Sequence, residues 1–143
     1  MAITTAMCNS FKQELLGGVH DLDTDTLKVA LIKQSPTGTF GASTTNYSDL
    51  GADEATGTNY TAGGQALDSP VISLSSGTAF VDFADEVFTN LTISADGAII
   101  YNASQGNKAV AVFDFGGTVT STSGDFTIVF PTADASNAVI RIS

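Results

Sequence analysis

From residue 70 onward the chain is a series of short apolar runs, each closed by a turn signal, with no apolar residue recurring at helical spacing. The runs are "PVISL" (70 to 74), "TAFVDF" (78 to 83), "LTISADGAIIYN" (91 to 102) and "KAVAVFDF" (108 to 115), followed by the closing stretch "GDFTIVFPTADASNAVIRIS". In that last stretch Phe126, Ile128 and Phe130 fall on one face, and Ala138, Ile140 and Ile142 do the same after the break at Pro131. The strings "SSG", "ADEVF", "SQGN", "GGT", "TSG" and "TADASN" separate the runs as turns. The spacing predicts an all-β, single-domain β-sandwich or closed barrel of about seven to eight strands. "AIIYNASQGNKAVAVFDF" is its clearest hairpin.

The front of the chain supplies what the strands need for cover. Met7, Phe11 and Leu15, flanked by Cys8 and Leu16, make one apolar stripe, and "GG" at 17 and 18 provides a left-handed stop. One N-terminal helix over about residues 5–16 follows, capped by Thr4 or Thr5, or by a Ser10–Gln13 box if shorter. Its stripe is expected to pack on the sheet. "TLKVALIK", 26 to 33, is apolar on both faces and reads as a central strand covered on both sides. From Gln34 to Leu67 the composition turns to Gly, Ser, Thr and Asn, with Phe40, Tyr47, Leu50 and Tyr60 as the large side chains. A loop of that length is ordered by its own short strands or by a partner. Tyr47, Leu50 and Tyr60 are the candidate anchors of a protein interface there.

All 143 residues fit one domain, and at 14.6 kDa a folded surface of about 6,900 Å² is expected. No internal repeat or boundary divides the chain. The lone Cys8 cannot form an internal bridge, so folding without oxidation is expected. Charged residues are 14%, against about 25% in an ordinary domain. The exterior should therefore be a neutral surface of hydroxyls, which needs little ion desolvation when a partner covers it.

Fifteen acids against five bases give a net charge of −10, and the bases are scattered at 12, 28, 33, 108 and 141. Phosphate binding needs the opposite sign, so no direct contact with nucleic acid or an anionic membrane is expected. No apolar run approaches the roughly 18 residues of a membrane span. The start "MAITTAMCNSFKQELLGG" also lacks the basic flank and apolar stretch of a secretory signal, so general export is not expected.

Chemistry-bearing residues are few. His20, just past the helix stop, reads as a solvated turn residue, and Cys8 on the apolar side of the helix reads as a buried thiol. Asp21, Asp23 and Asp25 in "DLDTD" have the spacing of a calcium loop, but Thr26 stands where its glycine belongs and Ile32 where its bidentate glutamate belongs. An acidic turn is the expected reading. Asp82, Asp85 and Glu86 in "DFADE" lack a second acidic cluster opposite them and read as a strand-end turn. "GGTVTSTSG" and "TAGGQ" are followed by no lysine and open no helix, so they do not read as phosphate loops. No catalytic residue, metal site or cofactor is expected.

The strings "TTAMCNSFKQELLGGVHDLDTDTLKVALI", "GTNYTAGG", "GTAFVDFAD", "GAIIYN", "AVAVFDFGG" and "SGDFTIVFPTADASNAVIRIS" resemble those of a family of small virion proteins of tailed bacteriophages, along nearly the whole chain. Members of that family are labelled head decoration (cement) proteins, or tail and fibre components. The resemblance implies a non-enzymatic protein added to the outer capsid surface after assembly in the host cytoplasm. There it would bind the major capsid protein and bridge neighbouring subunits, as a homo-oligomer of two or three copies. The alternatives are a tail, baseplate or fibre module, and a carbohydrate- or cell-surface-binding module.

Overall fold

In a computed structural model that describes residues 2–143, the strand "LKVALIK" forms the frame on which the larger of two sheets is built. The elements are β1 (Ala6–Met7), α1 (Asn9–Leu16), β2 (Leu27–Lys33), β3 (Gln65–Ala66), β4 (Val71–Ser75), β5 (Thr78–Asp82), β6 (Glu86–Asn102), β7 (Lys108–Ile128) and β8 (Ile140–Ile142), with short 3₁₀ segments at Tyr47–Asp53 and Ala103–Gln105. They make two antiparallel sheets, ordered β1-β7-β6-β2-β3 and β4-β5-β8. Neither is closed into a barrel: among the described residues β7 has no outer partner strand beyond Val112 and β3 ends the other side of the larger sheet, while β4 and β8 end the smaller one.

β2 is buried from Val29 through Ile32, as its two apolar faces require, while Lys28 and Lys33 lie half-exposed near its ends. β6 and β7 run side by side from the Ala103–Gln105 turn, closed by left-handed Gly106 (φ 67°) and Asn107 (φ 62°). Two expected turns are absent as turns. "GGT" and "TSG" lie within β7, where register shifts opposite Ala95/Gly97 and Leu91/Ile93 absorb the extra residues as bulges. The accessible surface of 6914 Å² is close to that expected of a folded chain of this mass, and Phe88, Leu91, Ile93 and Phe126 tie this long ribbon to the core while β7 stays largely exposed from Gly116 to Asp125.

The helix is shorter than expected. Ala6 and Met7 pair with Val112 and Ala111 of β7, and the Cys8 N–H donates to the Val110 carbonyl, so the chain is still extended at Cys8 (ψ 137°). α1 therefore starts at Asn9 with no side-chain cap, and neither Thr4, Thr5 nor Ser10 serves as one. Phe11 is buried as the stripe demands, but Leu16 at the other end is 93% exposed.

The closing stretch is divided between the sheets. Phe126 belongs to β7, whereas Ile140–Ile142 crosses to pair with β5. Between them Asp134 accepts from the Ser136 and Asn137 amides and holds the connection in a tight turn. One contiguous apolar cluster joins Val81, Phe83 and Ile140 to Leu31, Ile99 and Val112 of the larger sheet.

Candidate interaction surface

The segment 34–67 is ordered by the chain itself. Asn46 and Asp49 form a reciprocal capping box that starts the Tyr47–Asp53 segment. The structure brings Tyr47 and Tyr60 together, on one carboxylate. Tyr47 Oη donates to Glu54 Oε2 at 2.5 Å, Tyr60 Oη to Glu54 Oε1 at 2.9 Å, and the Gly63 amide to Oε1 at 2.6 Å. Tyr101 of β6 stacks on Tyr47 at 4.6 Å between ring centroids and donates to the Gly63 carbonyl. Burial and the Glu54 charge push the Tyr47 and Tyr60 hydroxyls far above their usual range and Tyr101 up to about 12. Leu50 lies apart from them, 3% exposed in the core.

These side chains fasten the loop to β2 and β6, and Leu50 has no surface left to offer a partner. Two residues that sequence reasoning passed over carry the segment. Glu54 is one, an acid lying between two of the three tyrosines. Asp53 is the other: its carboxylate accepts from the Thr37 and Gly38 amides and pairs with Lys33 Nζ at 2.8 Å. The Lys33 hydrogen bond and those amides hold Asp53 well below the usual carboxylate range.

His20 is not solvated. Its side chain is 0% exposed, with Phe11 4.9 Å away between ring centroids. Nε2 lies 3.3 Å from Glu14 Oε1, and Nδ1 lies 3.0 Å from Asn102 Nδ2. The chain's turn after α1 drives the ring under Phe11, where both nitrogens find protein partners, and Lys108 Nζ approaches the other Glu14 oxygen at 3.4 Å.

The "DLDTD" carboxylates are used locally. Asp21 Oδ1 accepts from the Asp23 and Thr24 amides, and Asp25 Oδ2 turns inward to Asn102 Nδ2 at 2.7 Å, a bond that lowers the Asp25 pKa. Among the described residues no three His, Cys, Asp or Glu side chains are placed to hold a metal ion. Asp85 accepts from the Phe130 amide and Glu86 from Gln65 Nε2, while burial and nearby Asp68 raise the Glu86 pKa. Cys8 is buried beside the Gly41 carbonyl, and desolvation pushes its thiol up to about 12. Among the described residues no helix is long and apolar enough to cross a membrane.

One open face is apolar. The register aligns Ile72, Val81 and Ile140 in one row across β4, β5 and β8, and Leu74, Ala79 and Ile142 in the next, all on one face of the smaller sheet. Val81 and Ile140 are 2% exposed, but Ile72 is 54%, Leu74 74% and Ile142 49% exposed. That face and the end of α1, with Leu15, Gly18 and Leu22, line a cleft of about 450 Å³. Leu16 lies on an adjoining hollow with Ile142, flanked by Lys12 and Arg141, neither of which pairs with a carboxylate among the described residues. Sequence reading treated "PVISL" as an ordinary strand; its apolar content was visible, its lack of cover was not.

Comparison with family models, with curated proteins and with solved structures returns no match to this chain.

Proposed function

We propose that this chain is a non-enzymatic structural protein of a tailed-phage virion that binds the outer surface of the capsid and bridges neighbouring subunits of the major capsid protein. In this reading the two sheets are the layers of a sandwich, and the rigid larger sheet carries the smaller one as its docking face. The observation that carries it is the half-open apolar face of the smaller sheet. Ile72, Leu74 and Ile142 remain exposed there, with Leu16 of α1 on the adjoining hollow, while Glu54, Asp53 and His20 are bound within the chain. An apolar face of this kind gains most when a partner removes it from water. Unpaired Lys12 and Arg141 at its side suit a carboxylate-bearing partner. Binding to the assembled lattice and not to dispersed subunits would stabilise the shell by mass action.

The test is immunogold labelling of virions of the phage that encodes the chain, with antibody raised against the purified protein. Gold over the head, and co-sedimentation of the purified chain with expanded empty capsids, is the expected result. Label confined to the tail would replace this reading with the tail or baseplate one, and a virion free of label would end both.

A further inference from the structure

The edges of the two sheets are treated differently. Unpaired edge strands invite pairing with other chains, and folded proteins blunt them by shortness, charge, bulges or proline. β1 and β3 are two residues each, and β8 is three residues long and carries Arg141. The free edge of β7 is bent by three register shifts between Phe88 and Gly97, and has Gly116, Gly117 and Ser123 at positive φ. β4 has none of this within its length. Its five residues pair with β5 in unbroken register, and Pro70 stands before the strand, outside the ladder.

We propose that the outer edge of β4 pairs antiparallel with β4 of a second copy of this chain, joining the two smaller sheets into one of six strands. Two observations select a second copy as the occupant. The first is charge. A chain of net charge −10 meets itself with least repulsion where the contact carries no charge, and no charged residue lies between Asp68 and Asp82. The second is register. With Ser73 opposite Ser73 of the second copy, Ile72 lies opposite Leu74 of that copy, and Leu74 opposite its Ile72. Both belong to the apolar face, and they are 54% and 74% exposed in the single chain. Each apolar row therefore continues across the junction into the other copy, and Val71 meets Ser75 on the reverse face.

The two-fold axis of an antiparallel pair stands perpendicular to the sheet. Both clefts then open on the same side, so one dimer presents two equivalent apolar faces to a common surface. The pairing itself does not depend on that surface being a capsid.

Sedimentation equilibrium of the full chain over a concentration series tests it, with hydrogen exchange read at low and high concentration. The expected mass rises from 14.6 kDa to about twice that, with added protection at the Val71–Ser75 amides. Leu74→Lys should leave the mass at the monomer value throughout, with circular dichroism unchanged and a melting temperature equal to the parent's in dilute solution, where both are monomers, since the side chain is exposed. Val129→Lys, 70% exposed and outside this strand, should dimerise as the parent does. A parent chain that stays monomeric at several hundred micromolar, a dimer undisturbed by Leu74→Lys, or new protection confined to other strands would each overturn the proposal. A monomer that protects its β4 amides only on adding capsids would assign the edge to another protein and overturn it equally.

Discussion

β2 of the larger sheet and β4 of the smaller one have nearly the same apolar character, "LKVALIK" against "VISLS", yet opposite fates. Leu31 is 0% exposed and Leu74 is 74% exposed. The difference lies in what covers them. β2 has β6 on one side, β3 on the other, and the 34–67 segment folded over it; β4 has β5 on one side only. Burial is thus a property of position in the assembly of strands, and the same leucine is either a structural necessity or an available contact.

The largest test of that contrast is Leu31→Ala. A buried leucine whose neighbours are held on both sides leaves a cavity that collapses poorly, and a loss of about 3–4 kcal/mol is expected in urea denaturation. A loss below about 1 kcal/mol would mean that β2 is not the covered strand described here.

Next in size is Asp53→Ala, which leaves the Thr37 and Gly38 amides without their acceptor and Lys33 without its partner. About 2–3 kcal/mol is expected at pH 7. The same carboxylate supplies a pH dependence. Its folded pKa is depressed below the ordinary value of 3.8, so its stabilisation is complete above about pH 4 and is lost as pH falls further. An acid titration of stability should therefore be shallower below pH 4 in Asp53→Asn than in the parent chain. Parallel curves would remove Asp53 from the account.

The pattern of strands was legible because period-2 alternation and turn residues act locally. β2, β5 and the Ala103–Asn107 hairpin turn stand where their residues point. The interruption of β7 was misread for a physical reason: Gly and Ser signal a turn or a bulge with the same φ, and only the partner strand decides which. His20 was misread because its burial depends on Phe11, Glu14 and Asn102, and Asn102 is 82 positions away. The tyrosines of the 34–67 segment were legible as large side chains in need of a contact, expected at a partner; Glu54, which receives them within the chain, emerges only when the loop closes on β2. The open face of the smaller sheet was hidden by the same rule: alternation tells which side chains share a face and is silent on whether anything lies over it.

Glu54→Gln probes the loop that gives β2 its cover. The amide keeps the size and loses the charge that accepts two phenolic hydrogens and the Gly63 amide, so a loss of about 1–2 kcal/mol is expected, confined to this segment. Hydrogen exchange should quicken at Leu31 and Gly63 while β7 amides hold their rates. The Tyr47 and Tyr60 hydroxyls should also titrate at lower pH, because the repelling carboxylate is gone. Uniform acceleration across the chain would show instead that the loop and the larger sheet open as one unit.

The smallest effect should come from repeating the first substitution on the other sheet. Leu74→Ala removes the same atoms as Leu31→Ala, but water already surrounds most of them, and the dilute chain should change by less than about 0.5 kcal/mol. The measurement has to be made at low concentration, where self-pairing of β4 contributes nothing. A loss comparable to that at Leu31 would mean that the monomer already covers this face, and the distinction between a closed sheet and an open one would fail. A small loss in dilute solution that grows with protein concentration is the opposite signature, since the deleted side chain would then be stabilising a contact that only a second molecule can supply.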